Sequence, residues 1–315
     1  MESAGNCPGG LVCLTGGSGF IGSWLVRLLL DRGYAVRATV KNIQDERETK
    51  HLEALDAAAS RLRLLQMDLL DPASVRAAVE GARGVFHLAS PVTLQLPQDP
   101  EENKSLLIPS NSGIGRVVLM SSKAAMVPNP DWPADKVIDD DSWADVELLR
   151  KRQLWYNVSK TLAEKAAWDF AAKEGLQLVV INPGMVLGPF LTPSVNASLH
   201  CFLQLLEGQR MDLDLYMGCV DVRDVPSSLI ALHESPSAQG RHLCMESVER
   251  LVDFTNHVAD LFPELPVQRI KEDKQGWVVR AKDPSKKLMD LGIRFTPLDI
   301  TIRDTVDCFR SKGLI

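Results

Sequence analysis

A doubly wound α/β fold, a parallel sheet covered by helices on both faces and followed by a smaller lobe, is what this chain predicts. Three observations carry that prediction. Short apolar runs alternate with amphipathic stretches through residues 1–190, the runs are continuous rather than alternating, and a glycine-rich turn joins the first run to the first helix. Leu11-Val12-Cys13-Leu14 is apolar throughout, as a strand buried on both faces requires. Ile21–Leu30 reads as a helix that Gly33 ends, and Ala35–Val40 is the second strand. Leu62–Gln66 and Gly84–Ala89 follow as strands. Between them a helix opens at Asp71-Pro72, an N-cap with proline at the first helical position. Arg116–Ser121 and Leu176–Ile181 are the next strands, on either side of a long helix from Leu154 to Lys173. The last third mixes turns and short strands with helices at Ser194–Leu206, Leu251–Leu261 and Pro297–Lys312. The expected division is a dinucleotide domain over 1–190 and a mainly substrate-binding lobe over 191–315, with some segments returning to the sheet.

Composition narrows the function classes. The chain has 315 residues, 45% hydrophobic and 24% charged, with a net charge of −6. Those fractions suit a globular protein and exclude collagen, coiled coil and wholesale disorder. The longest basic run is Arg150-Lys151-Arg152, so no nucleic-acid partner is expected. No apolar stretch approaches the length of a membrane span, and Glu2 without any Lys or Arg before Arg27 is wrong for a secretory signal. The six cysteines form no CxxC and no metal-ligand spacing, which fits a reducing cytoplasm and no metal. A small-molecule partner and a monomer or homodimer are expected.

Thr15-Gly16-Gly17-Ser18-Gly19-Phe20-Ile21-Gly22 lies where a strand turns into a helix. Glycines at 16, 19 and 22 permit a sharp turn, close approach of backbone to a pyrophosphate, and tight helix–strand packing. The helix N-terminus then presents free N–H groups and a positive dipole end to the anion. This is the phosphate cradle of a Rossmann-type fold, in the spacing G-x-x-G-x-x-G. An NAD-preferring site would carry Asp or Glu at the end of the second strand, whereas Val36-Arg37-Ala38-Thr39-Val40-Lys41 carries two cations and no acid before Asp45. Arg37 and Lys41 therefore read as ligands of a 2′-phosphate, and NADP(H) as the cofactor. Further cofactor contacts are expected from Thr15, Gly16, Gly19, Phe20, Ile21 and Gly22 in the turn. Asp68 and Leu69 after the third strand and Ala89 after the fourth complete the nucleotide side. Asp68 suits either an adenine edge or a helix cap.

The chain has three tyrosines, and Tyr156 alone has a lysine, Lys160, four residues on and thus on the same helix face. Ser121-Ser122 ends an apolar strand, where α/β folds place their ligands. Reduction of a carbonyl needs a proton at oxygen, and a tyrosine of ordinary pKa about 10 needs a nearby cation to serve. Tyr156 is thus the candidate proton donor. Lys160 is its cation and a holder of the nicotinamide ribose, and Ser122 orients the carbonyl. His87, inside the fourth strand, reads as a core residue rather than as part of the chemistry.

These residues together resemble the extended short-chain dehydrogenase/reductases, specifically the plant cinnamoyl-CoA reductase and dihydroflavonol 4-reductase group. The resemblance runs nearly end to end. It includes Thr15–Gly22, Val85–Pro91, Ser121-Ser122, Trp155–Trp168, Asn182-Pro183-Gly184, Asp221–Val225 and Gly240–Cys244. It implies a catalytic Ser122, Tyr156 and Lys160, NADPH as cofactor, Pro183 and Val186 lining the nicotinamide side, and a place in phenylpropanoid metabolism. The substrate candidates it implies are a phenylpropanoid aldehyde, a cinnamoyl-CoA-type thioester and a dihydroflavonol-like ketone. A nucleotide-sugar epimerase or dehydratase of the same architecture is the alternative, against which Arg37 and Lys41 count.

Two departures stand out. The stretch Leu154–Lys160 lacks the N-W-Y-C-Y pattern of cinnamoyl-CoA reductases, and their CoA-side His and Lys appear here as Cys201 and Gln204. The expectation shifts toward a free aldehyde or ketone. The other departure is the crossover between the fourth and fifth strands, Pro91–Gly115, which is about ten residues shorter than the family pattern. Its only helical candidate is Glu101–Ile108. Losing three or four buried apolar side chains there, at about 1.5–3 kcal/mol each, approaches a domain's total stability of about 5–15 kcal/mol. A splice or gene-model variant with an open sheet face and weakened cofactor binding is the expectation that follows, and a dinucleotide-binding protein with impaired catalysis is the second alternative function.

Overall fold

The computed structural model describes residues 9–89, 113–129, 137–209, 216–270, 280–281 and 283–315. The shortened crossover, with its candidate helix at Glu101–Ile108, lies outside the described residues except for Gly113–Gly115.

Three βα units and a fourth strand build one half of the sheet: β1 (Leu11–Thr15), α1 (Phe20–Asp31), β2 (Ala35–Val40), α2 (Glu46–Glu53), α3 (Ala58–Arg61), β3 (Leu62–Gln66), α4 (Pro72–Val79) and β4 (Gly84–His87). The other half begins with β5 (Arg116–Met120). A short pair strand β6 (Val137–Ile138), α5 (Val146–Lys151), the 20-residue α6 (Trp155–Glu174) and β7 (Leu178–Pro183) follow. Helix α1 forms because its buried positions Leu25, Val26, Leu29 and Leu30 recur at helical spacing. It ends at Arg32, followed by Gly33 at φ +83°. Helix α4 starts as its sequence prescribes, with the Asp71 carboxylate accepting from the Ala73 N–H and Pro72 at the first helical position. Gly175, at φ +66°, stops α6.

All pairings in the seven-stranded sheet are parallel, in the order β3-β2-β1-β4-β5-β7 followed by β10 (Gly240–Cys244). The order reverses between β1 and β4. Ligands of open α/β sheets bind at the strand C-termini beside such a reversal. The glycine turn, Ala89 and Ser121-Ser122 all leave the sheet at that edge.

After β7 the chain enters a second, three-stranded sheet through β8 (Met185–Leu187), which pairs with β9 (Tyr216–Asp221), and β9 with β11 (Ser247–Arg250). Helices α7 (Ala197–Leu206), α8 (Asp224–Glu234), α9 (Leu251–Leu261), α10 (Lys286–Asp290) and α11 (Leu298–Ser311) complete the fold, with β12 (Arg280–Ala281) beside β6. Helix α8 and strand β10 belong to residues past 190 yet serve the large sheet, α8 packing on α1 and β10 extending β7. One apolar core joins both sheets, from Val12, Leu25 and Phe86 to Phe202, Phe254 and Phe309. Helix α11 is tied to the small sheet by polar contacts. Thr305 Oγ1 accepts from the Gly188 N–H, and Thr301 Oγ1 donates to the buried Asp221 carboxylate, which Arg223 also grips.

Candidate active site

The glycine turn is held by backbone. Gly16 lies at φ +73°, the left-handed region that favours glycine, and its N–H donates to Thr39 Oγ1 at 3.3 Å. The Gly17 N–H donates to the Thr39 carbonyl at 2.9 Å, fastening the turn to the end of β2. A Cβ at Gly22 would sit 2.1 Å from the Gly16 carbonyl oxygen, so only glycine lets α1 approach the turn. Phe20 is buried in the core, and it is the backbone of Phe20 and Ile21, at the start of α1, that offers N–H groups without intrahelical partners. Thr15 Oγ1 accepts from the N–H groups of Leu88 and Ala89, each at 3.1 Å, and shares its own proton with His87 Nδ1 at 2.7 Å. That fixes the ends of β1 and β4 side by side. Burial, with the Lys160 charge nearby, pushes His87 down to about 4, so the ring is neutral, and Thr15 Oγ1, already accepting two N–H groups, donates to Nδ1. His87 is a core residue with a satisfied hydrogen bond, as its place in the strand suggested.

The proton-transfer residues lie one strand further along the same edge. Ser122 is extended (φ −162°), and its Oγ caps a one-turn 3-10 helix, Lys123–Ala125, by accepting from the Ala124 N–H. Asn157 of α6 donates to the carbonyls of Ala124 and Val127, which docks the start of the helix against that turn. Tyr156 is thereby brought to Ser122, whose hydroxyl pulls the phenol's pKa down. Burial outweighs that pull and holds the phenol above its ordinary pKa. The Lys160 ammonium stands 5.9 Å from the Tyr156 ring centre. Burial pulls Lys160 down to about 8, and Glu164, one turn further on, resists the shift. In the structure burial keeps the proton on Tyr156 before transfer, which is the state a proton donor needs.

Behind these residues lies a buried network that spacing in the sequence does not reveal. Glu164, with a side chain wholly shielded from solvent, accepts from Ser121 Oγ (2.5 Å), Asn182 Nδ2 (2.9 Å) and Arg241 Nε (2.6 Å). Asn182 Nδ2 also donates to the Ser122 carbonyl at 3.2 Å, so the network reaches the candidate catalytic serine through β7. Arg241 comes from β10, stacks 3.9 Å from the Trp143 ring centre and donates to the carbonyls of Asp140 and Ser142. The one local clue was an acid four residues after Lys160 on the same helix face.

The cofactor residues expected from the sequence divide. Thr15, Gly16, Gly19, Phe20, Ile21, Gly22, Ala89 and Lys160 gather around the edge where the sheet order reverses. Pro183, at the end of β7, and Val186, in β8, lie where the chain passes from the large sheet to the small one, and both are buried. Asp68 Oδ1 accepts from the Leu70 N–H, a local turn, while the cap of α4 is Asp71. Leu69 packs against the small cluster beneath β1 and β4. Lys41 is exposed at the end of β2. Arg37 is a correction: its guanidinium donates to the carbonyls of Ala78 and Glu80 at the end of α4 (2.9 and 2.6 Å). It sits opposite Cys13 in mid-strand, four residues and about 13 Å back from Lys41, too far from the sheet edge to meet a ribose phosphate. In place of Arg37, the residue that meets the end of β2 is an acid. Glu48 Oε2 accepts from the N–H groups of Lys41 (2.7 Å) and Asn42 (3.4 Å) and from Ser18 Oγ (3.3 Å).

Comparison with known proteins agrees with this geometry. Residues 12–240 match the NAD dependent epimerase/dehydratase family. The chain is 38% identical to cinnamoyl-CoA reductase 1 of Arabidopsis thaliana over 312 residues, covering 97% of this chain and 90% of that one. The chain belongs to this family. As a family member it is an extended short-chain dehydrogenase/reductase and an oxidoreductase. Vestitone reductase from alfalfa superposes with a TM-score of 0.80 at 30% identity, covering 97% of this chain and 99% of that one. Yeast methylglyoxal/isovaleraldehyde reductase Gre2, complexed with NADPH, shares the fold with a TM-score of 0.77 at 24% identity and covers 97% and 100% of the two chains. Among the described residues no helix is long and apolar enough to cross a membrane, and no cluster of His, Cys, Asp and Glu could hold a metal.

Proposed function

We propose that the chain is an NADP(H)-dependent reductase of a small carbonyl compound, in which Ser122, Tyr156 and Lys160 handle the proton. The observation that carries this reading is the meeting of Ser122 and Tyr156 at the end of β5, beside the glycine cradle at the end of β1. The cradle fits a dinucleotide pyrophosphate: a Cβ on Gly22 would close it against the Gly16 carbonyl, and the first turn of α1 presents unshared N–H groups. NADP(H), when bound, supplies the hydride. Tyr156 holds a proton at its phenol oxygen and gives it to the carbonyl oxygen of the substrate. Ser122 Oγ, beside that phenol, donates to the same oxygen and orients it. Lys160, about 8, remains mostly charged at pH 7 and stabilises the phenolate left behind. Pro183 and Val186 form the apolar wall of the nicotinamide side.

The substrate we infer is a free aldehyde or ketone of phenylpropanoid or flavonoid type. Cys201 and Gln204 on α7, the lobe helix after Asn196, offer no cation to the phosphates of a CoA thioester, and burial keeps the Cys201 thiol neutral by raising it. Residues 1–190 form the dinucleotide part in this reading and 191–315 mainly the substrate lobe, in a cytoplasmic monomer or homodimer.

Oxidation of NADPH in the presence of cinnamaldehydes, cinnamoyl-CoA thioesters and dihydroflavonols tests the reading, with Tyr156→Phe as control. The expected result is turnover on an aldehyde or ketone that falls by about 10²–10⁴-fold in the variant, with NADPH affinity retained. Undiminished turnover in Tyr156→Phe refutes the assigned role, and NADPH binding without turnover on any of the three classes refutes the reductase.

A further inference from the structure

The end of β2 is where the adenosine ribose of a dinucleotide lies, and its 2′-substituent is read by whatever that edge presents. This chain presents a carboxylate there. Glu48 stands three residues beyond Asp45, the N-cap of α2, where a capping-box acid would turn back onto its own cap. Instead its Oε2 takes donors from the Lys41 and Asn42 backbone and from Ser18 of the glycine turn. Those N–H and O–H groups are the ones a 2′-phosphate at this edge would seek, and such a phosphate carries nearly two negative charges near pH 7. A ribose diol has the opposite need, since it donates hydrogen bonds and a carboxylate accepts them. Lys41 adjoins the same place and attracts a phosphate, and Arg37 does not reach it. The edge therefore carries opposing instructions from two neighbouring residues.

The geometry points to Glu48 as a specificity-determining residue that relaxes discrimination at the 2′-position, so that the chain binds NADH alongside NADPH. This rests on the dinucleotide cradle of the proposed function and concerns only its 2′-end. Glu48 takes the place of the acid that the sequence lacks at the strand end, delivered from the following helix. The half-exposed carboxylate repels the phosphate across a short, partly screened distance, while Lys41 keeps the phosphorylated cofactor acceptable.

Dissociation constants for NADPH and NADH, measured by calorimetry on the full chain without substrate, test this. Wild-type protein should bind the two within about tenfold of each other. Glu48→Gln keeps an amide oxygen for the Lys41 and Asn42 N–H groups and removes the charge. It should shift the ratio toward NADPH by about tenfold (about 1.4 kcal/mol). Lys41→Gln, at an exposed position, should shift the ratio the other way, and supplies the answer if the Glu48 variant fails to fold. A wild-type preference for NADPH above about a hundredfold, unchanged in Glu48→Gln, would overturn the inference and leave the reductase standing. Failure of wild-type protein to bind either nucleotide would overturn both.

Discussion

Glu164→Gln subjects the site to a single-charge test. The carboxylate is wholly buried, and its two oxygens answer several donors: Arg241 Nε and Trp168 Nε1 at Oε1, and Ser121 Oγ, Asn182 Nδ2 and Arg241 Nη2 at Oε2. A glutamine has one acceptor oxygen and one NH2, so either orientation sets a donor against a donor. It also leaves the Arg241 guanidinium, 5% exposed, without its counter-charge. Removing one partner of a buried pair costs about 3–5 kcal/mol. Arg241 retains the Asp140 and Ser142 carbonyls and its stack on Trp143, which places the expected loss near the lower end, about 3 kcal/mol. Urea unfolding of wild type and variant, compared at unchanged m-value, reads this directly. Replacing both residues with leucine and methionine (Glu164→Leu, Arg241→Met) should recover only part of the loss, because an apolar pair carries no stranded charge while Ser121 Oγ and Asn182 Nδ2 still lose their acceptor. Turnover should fall as well, since an Asn182 that turns its amide over to suit the glutamine releases the Ser122 carbonyl. A loss below about 1 kcal/mol, or a double variant as unstable as the two single losses added, would refute the reasoning.

Three further outcomes follow from the same geometry. Lys160, drawn down to about 8 by burial, should impose an alkaline limb on the reduction: kcat/KM holds below that pH and declines above it as the ammonium is lost. Lys160→Arg, which stays charged, should remove the limb while lowering the rate; a limb that persists at the same pH assigns it to another group. The stability contribution has the opposite sign, since a folded-state value below the unfolded one makes the protein gain stability as pH rises from about 8 toward the ordinary lysine range near 10.4. Gly22→Ala would force a Cβ to 2.1 Å from the Gly16 carbonyl, so α1 must move off the turn. NADPH affinity in equilibrium titration should drop at least tenfold; near-wild-type binding would show that the turn is not the cradle.

Legibility in the sequence tracked how local each requirement is. The strands and the helices α1, α4 and α6 were readable because burial on both sheet faces writes apolar runs, and Asp71-Pro72 and Gly33 punctuate them. The glycine turn was readable because Gly22 has no alternative against the Gly16 carbonyl. Tyr156 and Lys160 were readable because a helix repeat relates them. Arg37 misled for the converse reason. Two cations near a strand end look alike in sequence, and only the strand's rise, about 13 Å over four residues, separates the one at the edge from the one that caps α4. Glu48 escaped notice because its effect depends on how α2 docks back onto β2. Glu164 and Arg241 escaped because 77 residues separate them.

That separation matters for recombining this chain with its relatives. Asn182 and Gly184 lie on one continuous rail, β7 running into β8, and a Cβ at Gly184 would strike the Gly218 carbonyl at 2.1 Å. A chimera cut after residue 190 to exchange substrate lobes would split Glu164 and Asn182 from Arg241, taking an acid from one parent and its base from the other. The unit of inheritance around Ser122 is therefore three-dimensional. Parents that differ at any of these three positions should be joined downstream of β10, at the cost of exchanging less of the lobe.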